Sequence, residues 1–159
     1  MSVMSLASFT ARLYSSTSAE DFSPLTGRRY VVVSVDGEPE PGLEALAASA
    51  NACPIIAIGD APADFADVTV TGETQARPLI DAIETHPIAS AALVRLLRHN
   101  ERVDVPDRLF AESLTYSTLQ HGAEFQAWLA GWRAERKPKL RDFSGPAVLT
   151  SRTDNRLTI

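Results

Sequence analysis

The residues best equipped for chemistry in this chain are carboxylates. Asp36, Glu38 and Glu40 follow one apolar run, and Asp60, Asp64 and Asp67 follow another. If both runs are strands of a parallel sheet, the two acidic loops lie at the carboxyl ends of the strands, where ligands bind in such folds. Clustered carboxylates suit Mg²⁺, because hard cations prefer oxygen ligands, and Mg²⁺ serves phosphoryl transfer. A phosphate also needs a basic residue at the same edge. The two lysines, Lys137 and Lys139, lie far along the chain. Solvated acidic turns are therefore the simpler reading. Glu112 is an acid of another kind. It falls among Leu109, Ser113, Tyr116 and Leu119, near one face of an expected helix. A carboxylate on such a face can act as a general base, or it can be a structural acid bonded to Tyr116 or to a backbone amide.

Other chemistries lack their parts. No Gly-x-Gly-x-x-Gly or Gly-Lys-Ser/Thr sequence follows any apolar run, so the familiar nucleotide sites are not expected. His86, His99 and His121 are far apart and fall at expected helix ends, where histidine meets terminal carbonyls and the helix dipole. No Cys/His spacing suggests zinc. Cys53, the single cysteine, precedes an apolar run and reads as a small core residue. One cysteine permits no internal disulfide, which fits a reducing cytoplasm.

The elements that would position these residues are legible from periodicity. The chain has 159 residues, 45% hydrophobic and 22% charged, enough for one domain with a core and appendages. Tyr30–Val35, Pro54–Ile58 and Val68–Thr71 read as three strands, the first two apolar on both faces as in a parallel sheet. Gly42–Asn51 between them reads as a helix, completing a βαβ unit. Leu6–Tyr14 is a possible short helix in an N-terminal extension, 1–28. From Glu73 the pattern is helical. Pro78, Pro87 and Pro106 each can start a helix, and a fourth spans Ala123–Lys137. In the second, Leu93, Leu96 and Leu97 are expected inside, with Arg95 and Arg98 outside. In the fourth, Phe125, Trp128, Leu129 and Trp132 form a stripe suited to a core or a partner. Ala147–Ser151 and Leu157–Ile159 read as hairpin arms around Thr153–Arg156. A chain breaking off in the second arm is expected to continue in a larger protein.

Charge divides unevenly. The net charge is −5, with nine acids against three basic residues in 1–72 and eleven against twelve in 73–159. Nothing forms the basic stripe of a nucleic-acid binder. No stretch approaches the ~20 apolar residues of a membrane span, and Met1–Tyr14 lacks the charge order of a signal peptide. A soluble, cytoplasmic protein is expected. Thirteen arginines against two lysines suggest a bacterium with GC-rich DNA.

Against this background one segment carries a resemblance. Ala134-Glu135-Arg136-Lys137-Pro138-Lys139-Leu140-Arg141-Asp142 resembles the C-terminal signature of the crotonase (enoyl-CoA hydratase/isomerase) family. Arg108–Trp132 is similar to the helical tail before that signature, and Pro87–Leu97 to an earlier helix of the tail. Val148–Ile159, ending Asn155-Arg156-Leu157-Thr158-Ile159, looks like the opening strands of a crotonase domain. The match covers about half the chain in short motifs. It implies an N-terminal accessory region of an actinobacterial-type crotonase protein, with the catalytic domain after Ile159.

In that family two backbone amides form an oxyanion hole for an acyl-CoA thioester, and carboxylates act as acid and base. The oxyanion motifs and the two usual glutamates have no counterpart here, and Glu112 is not at a motif position. Trp132, Arg136 and Lys137 match positions where the last helix touches CoA or a neighbouring subunit. Glu135 stands where a basic residue is common, which favours subunit packing.

The expected fold is α/β, a small, mainly parallel three-stranded sheet followed by a helical half. Its parts are the extension 1–28, a tail-like domain 29–142 and a linker with the start of a hairpin, 143–159. The expected function is a non-catalytic accessory or oligomerisation domain of an acyl-CoA protein, inactive alone. It would have no resident metal or cofactor, a CoA thioester as substrate of the whole, and a partner on the Phe125/Trp128/Trp132 face. The partner would be another copy or a crotonase catalytic domain, with no nucleic acid and no membrane. The alternative is an acidic-pocket α/β metal-binding or phosphotransfer domain. A third possibility is a degenerate enzyme using Glu112.

Overall fold

The computed structural model describes residues 2–135, 148 and 150–158. The chain divides into two compact units, Met1–Gln126 and Ala127–Ile159. In the first unit come β1 (Val3–Ser5), α1 (Leu6–Leu13), α2 (Ser18–Asp21), β2 (Val31–Ser34), α3 (Leu43–Ala50), β3 (Ile55–Ile58) and β4 (Val68–Val70). Then follow α4 (Glu73–Thr85), α5 (Pro87–Asn100), α6 (Val105–Gln120) and α7 (Ala123–Glu135), the last running on into the second unit. The second unit also holds β5 (Ser151–Thr153) and β6 (Arg156–Thr158).

The class is α/β, but the sheet has four strands rather than three. Its order is β1-β2-β3-β4, all parallel. The added strand is Val3-Met4-Ser5, which pairs with Val32, Val33 and Ser34. It is short because Ser5 is also the N-cap of α1, its hydroxyl accepting from the Ser8 amide at 3.2 Å. Strand β1 thus joins the sheet, and α1 packs on its core.

Strand alternation builds two cores. Val31, Val33, Ile55 and Ala57 face α1 and α3, and bury Leu6, Phe9, Leu13, Phe22, Leu43 and Ala47. Phe9 is fully buried, 5.8 Å from the Phe22 ring and 5.6 Å from Phe65. Val32 and Ile56 point the other way and meet Ala76, Ile80 and Ile83 of α4. Helices therefore cover both faces of the sheet, as parallel strands apolar on both sides require.

Two helices differ from their sequence patterns. The expected start at Pro78 is overturned: α4 begins at Glu73, with Pro78 inside it. Gln75 stabilises that earlier start, its Oε1 accepting from the Thr71 amide at 2.9 Å and the Thr71 hydroxyl at 3.0 Å. The inner face of α5 is also overturned. Ala91 and Val94 are buried, while Leu93 and Leu97 are 53% and 52% exposed. The Arg98 side chain, expected outside, is only 14% exposed, because three acceptors described below hold it against the sheet.

The other helix starts follow the prolines. Pro87 opens α5, and α6 starts at Val105, one residue before Pro106, capped by Asp104 accepting from the Asp107 amide at 3.1 Å. In the second unit β5 and β6 pair antiparallel, joined through Asp154 at φ 52°. Of the expected arm Ala147–Ser151, positions 147 and 149 lie outside the described residues. The first arm seen is Ser151–Thr153.

Candidate functional site

The carboxyl edge of the sheet is the first candidate. Asp36, Glu38, Glu40, Asp60 and Asp64 lie in the loops there, and Glu38, Glu40, Asp60 and Asp64 are exposed. A cleft of about 350 Å³ opens between these loops, walled by Pro39, Glu40, Leu43, Glu44, Pro62 and Asp64. Among the described residues no three Asp, Glu, His or Cys side chains are grouped closely enough to hold a metal ion. Topology supplies the reason. Ligand crevices in open α/β sheets form where the strand order reverses and neighbouring loops diverge. Here the order runs straight from β1 to β4, so the described sheet has no such switch point.

Asp67, grouped with the acidic loops by sequence, lies at the opposite edge. It immediately precedes β4, and its side chain is 14% exposed. Its carboxylate accepts from the Ile55 amide at 2.7 Å, at the start of β3. Arg98 grips both oxygens, Nε to Oδ1 at 2.8 Å and Nη2 to Oδ2 at 2.6 Å. The same guanidinium donates to the Asn51 carbonyl at 2.7 Å and the Cys53 carbonyl at 3.3 Å. Such a fork satisfies a carboxylate and two strand-leading carbonyls with one side chain. A cleft of about 340 Å³ lies beside it, lined by Glu44, Leu97, Glu101, Arg102 and Arg108. Acids and bases alternate around it, and the Arg108 Nε is committed to the Val103 carbonyl at 2.8 Å.

Cys53 is fully buried, and burial pushes its thiol up to about 12. A thiol held protonated is no nucleophile, so its reading as a core residue stands. The histidines sit at helix ends as expected. His86 ends α4 and precedes α5, His99 lies in the last turn of α5, and His121 caps α6 with Nδ1 2.7 Å from the Ser117 carbonyl. At the amino edge Tyr30 lines a cleft of about 250 Å³ with Arg28, Arg29 and Glu84. Burial, then the Glu84 charge, raises its phenol above the usual tyrosine range.

The helical candidates are at the surface. Glu112 and Ser113 are exposed, and Tyr116 is 63% exposed, so Glu112 faces water and not an enclosed pocket. Leu109, expected on the same inner row, is exposed too. Along α7, Phe125 and Leu129 are half-buried. Trp128 and Trp132 are 49% and 40% exposed, their rings stacked 6.1 Å apart at 24°. Arg136 and Lys137 lie outside the described residues.

Two polar anchors carry no sequence motif. Arg98 reads as a surface residue until its acceptors, 31 and more positions away, are in place. Glu124 sits in the first turn of α7 and reaches α5, accepting from the Ile88 amide at 2.8 Å and the Ala89 amide at 2.9 Å. Those amides belong to the unsatisfied first turn of α5, so the carboxylate is a cap supplied by another helix. No protein-family model, curated protein or solved structure matches the chain.

Proposed function

We propose that this chain is a non-catalytic accessory domain that assembles with a crotonase-like (enoyl-CoA hydratase/isomerase-like) acyl-CoA protein through its helical half. The observation that carries the reading is the stacked, half-exposed Trp128–Trp132 pair on α7. Large aromatics held at a surface in a fixed mutual geometry are the residues that dominate binding at protein interfaces. In the resemblance, Trp132 falls at a position where the family's last helix meets CoA or a neighbouring subunit. The carboxyl-edge loops supply no oxyanion-hole motif, so thioester chemistry belongs to the partner, and the chain contributes packing.

The test is sedimentation of the chain alone and mixed with a crotonase catalytic core, comparing wild type with the Trp128→Ala/Trp132→Ala double variant. Association in either sample, lost in the double variant, is the expected result. Association in neither sample, or association indifferent to both tryptophans, overturns the reading. Hydration of crotonyl-CoA by the chain alone is expected at the uncatalysed rate, and turnover above it would make the chain an enzyme.

A further inference from the structure

The cleft beside Arg98 carries charges that the fold does not use. Its volume is about 340 Å³, at the lower end for small-molecule sites. One side comes from α3 and the loop between β3 and β4, and bears Glu44 and Asp64. The other comes from the end of α5, the turn after it and the first turn of α6, and bears Glu101, Arg102 and Arg108. All five side chains belong to exposed residues. Among the described residues no ion pair joins the two sides. The Arg98–Asp67 pair also lines the cleft, but it is committed to itself and to the strand-leading carbonyls. Between the charges the lining is apolar, from Ala48, Phe65 and the half-exposed Leu97.

These parts define a ligand. Arg108 is held through its Nε on the Val103 carbonyl, and the other donors of a guanidinium are those a carboxylate takes in pairs. Glu44 and Asp64 call for a cation on the far side, and the apolar lining between them calls for an aliphatic stem. Three carboxylates stand against two arginines, so the complement has one cation more than it has anions. Glu101 precedes Arg102, which places an acceptor for an ammonium next to a donor for a carboxylate. Asn100 lines the same side, and its Oδ1 is buried without a donor. A turn of that amide toward the cleft would offer the ammonium a second acceptor. A phosphate is a poor match, because Glu101 repels it beside the arginines. A simple polyamine is a poor match, because the arginines repel it.

We propose that this cleft binds a free basic α-amino acid. Arg102 and Arg108 take its α-carboxylate, Glu101 its α-ammonium, and Glu44 and Asp64 the cation at the end of its side chain. No residue of α7 lines the cleft, so the site stands or falls apart from the assembly reading above.

Titration of the isotope-labelled full chain with L-lysine, followed by its backbone amide resonances, tests this. Saturable shifts at Glu44, Asp64, Leu97, Glu101 and Arg102 are expected, with a Kd of about 1 mM, since exposed ion pairs each contribute little. Three analogues each lack one group: cadaverine the carboxylate, Nα-acetyl-lysine the α-ammonium, and norleucine the side-chain cation. Each should bind about tenfold more weakly or worse. Arg102→Gln should weaken L-lysine by a similar factor and leave cadaverine unchanged. The Glu44→Gln/Asp64→Asn double variant should weaken L-lysine and leave norleucine unchanged. All three substitutions are at exposed positions, so the melting temperature should hold. Absence of saturation by about 20 mM L-lysine overturns the proposal, as do shifts confined to other residues. Equal binding of Nα-acetyl-lysine overturns the free amino acid as ligand, and affinity indifferent to both variants overturns the site.

Discussion

Arg98 and Asp67 form a two-pronged pair, 2.8 and 2.6 Å across, that fastens the end of helix α5 to the amino edge of the sheet. Both side chains are largely withdrawn from water. The arginine also holds the Asn51 and Cys53 carbonyls, and the aspartate holds the Ile55 amide. Each of these groups has its charge or dipole answered, and this is the condition under which a partly buried ion pair is tolerated.

Removing one partner should therefore be costly. Arg98→Ala leaves Asp67 and two backbone carbonyls without their donor, and is expected to lower stability by about 1–3 kcal/mol, the range for polar groups left unsatisfied. Arg98→Lys should recover only part of this, because an ammonium cannot make the fork. Urea denaturation measures both. A loss within about 0.5 kcal/mol for Arg98→Ala, the range of an ordinary surface substitution, would show the pair to be incidental.

Phe9 offers a second test, of the N-terminal residues as part of the core. Its ring is fully buried between Phe22 and Phe65. Phe9→Ala is expected to cost about 3–4 kcal/mol through lost burial and the cavity left behind. Deleting residues 2–28 removes β1 and α1 and should prevent cooperative folding altogether, as read by the thermal transition. A truncated chain that melts like the full one would put those residues outside the core.

The buried thiol gives a pH prediction with a definite sign. Cys53 has its folded-state pKa raised from 9.0 to about 12, burial being the largest cause. The unfolded chain therefore loses this proton at lower pH than the folded one. The group's contribution to stability is complete below about pH 9 and declines as the pH climbs toward 12. Cys53→Ala should flatten that part of the stability profile. Ellman's reagent at pH 8 should label the native thiol far more slowly than the urea-unfolded one, and equal rates would contradict its burial.

Much of the sheet is legible in the sequence. Val31-Val32-Val33 and Ile55-Ile56 are β-branched runs that only a strand buried on both faces explains, and they form the two central strands. β1 is hidden because Val3-Met4-Ser5 passes straight into a helix through Ser5, leaving no turn residues to mark its end. The start of α4 is masked by Pro78, whose punctuation is local, whereas the cap that decides the boundary is the Gln75 side chain reaching Thr71. The candidate sites are less legible. Asp67 follows an apolar run in sequence as Asp60 does, yet it crosses to the far edge, where its partner Arg98 lies on a helix 31 positions on. Leucine spacing along α5 gives no hint that an arginine is drawn inward, since its three acceptors are all distant in the chain. Glu112 keeps its place on the helix, but the face its spacing suggests is exposed.

The straight strand order has a consequence in time as well as in space. Each strand of the sheet pairs with the strand next to it in the chain, so no contact between strands waits for a segment made much later. Parallel sheets form slowly as a class, and an in-order sheet keeps the chain between paired strands shorter than a reordered one would. As the chain leaves the ribosome, β2 can lie down on β1, β3 on β2 and β4 on β3, in order of synthesis. The last step is the arrival of Arg98, which reaches back from α5 and locks an edge that is already built.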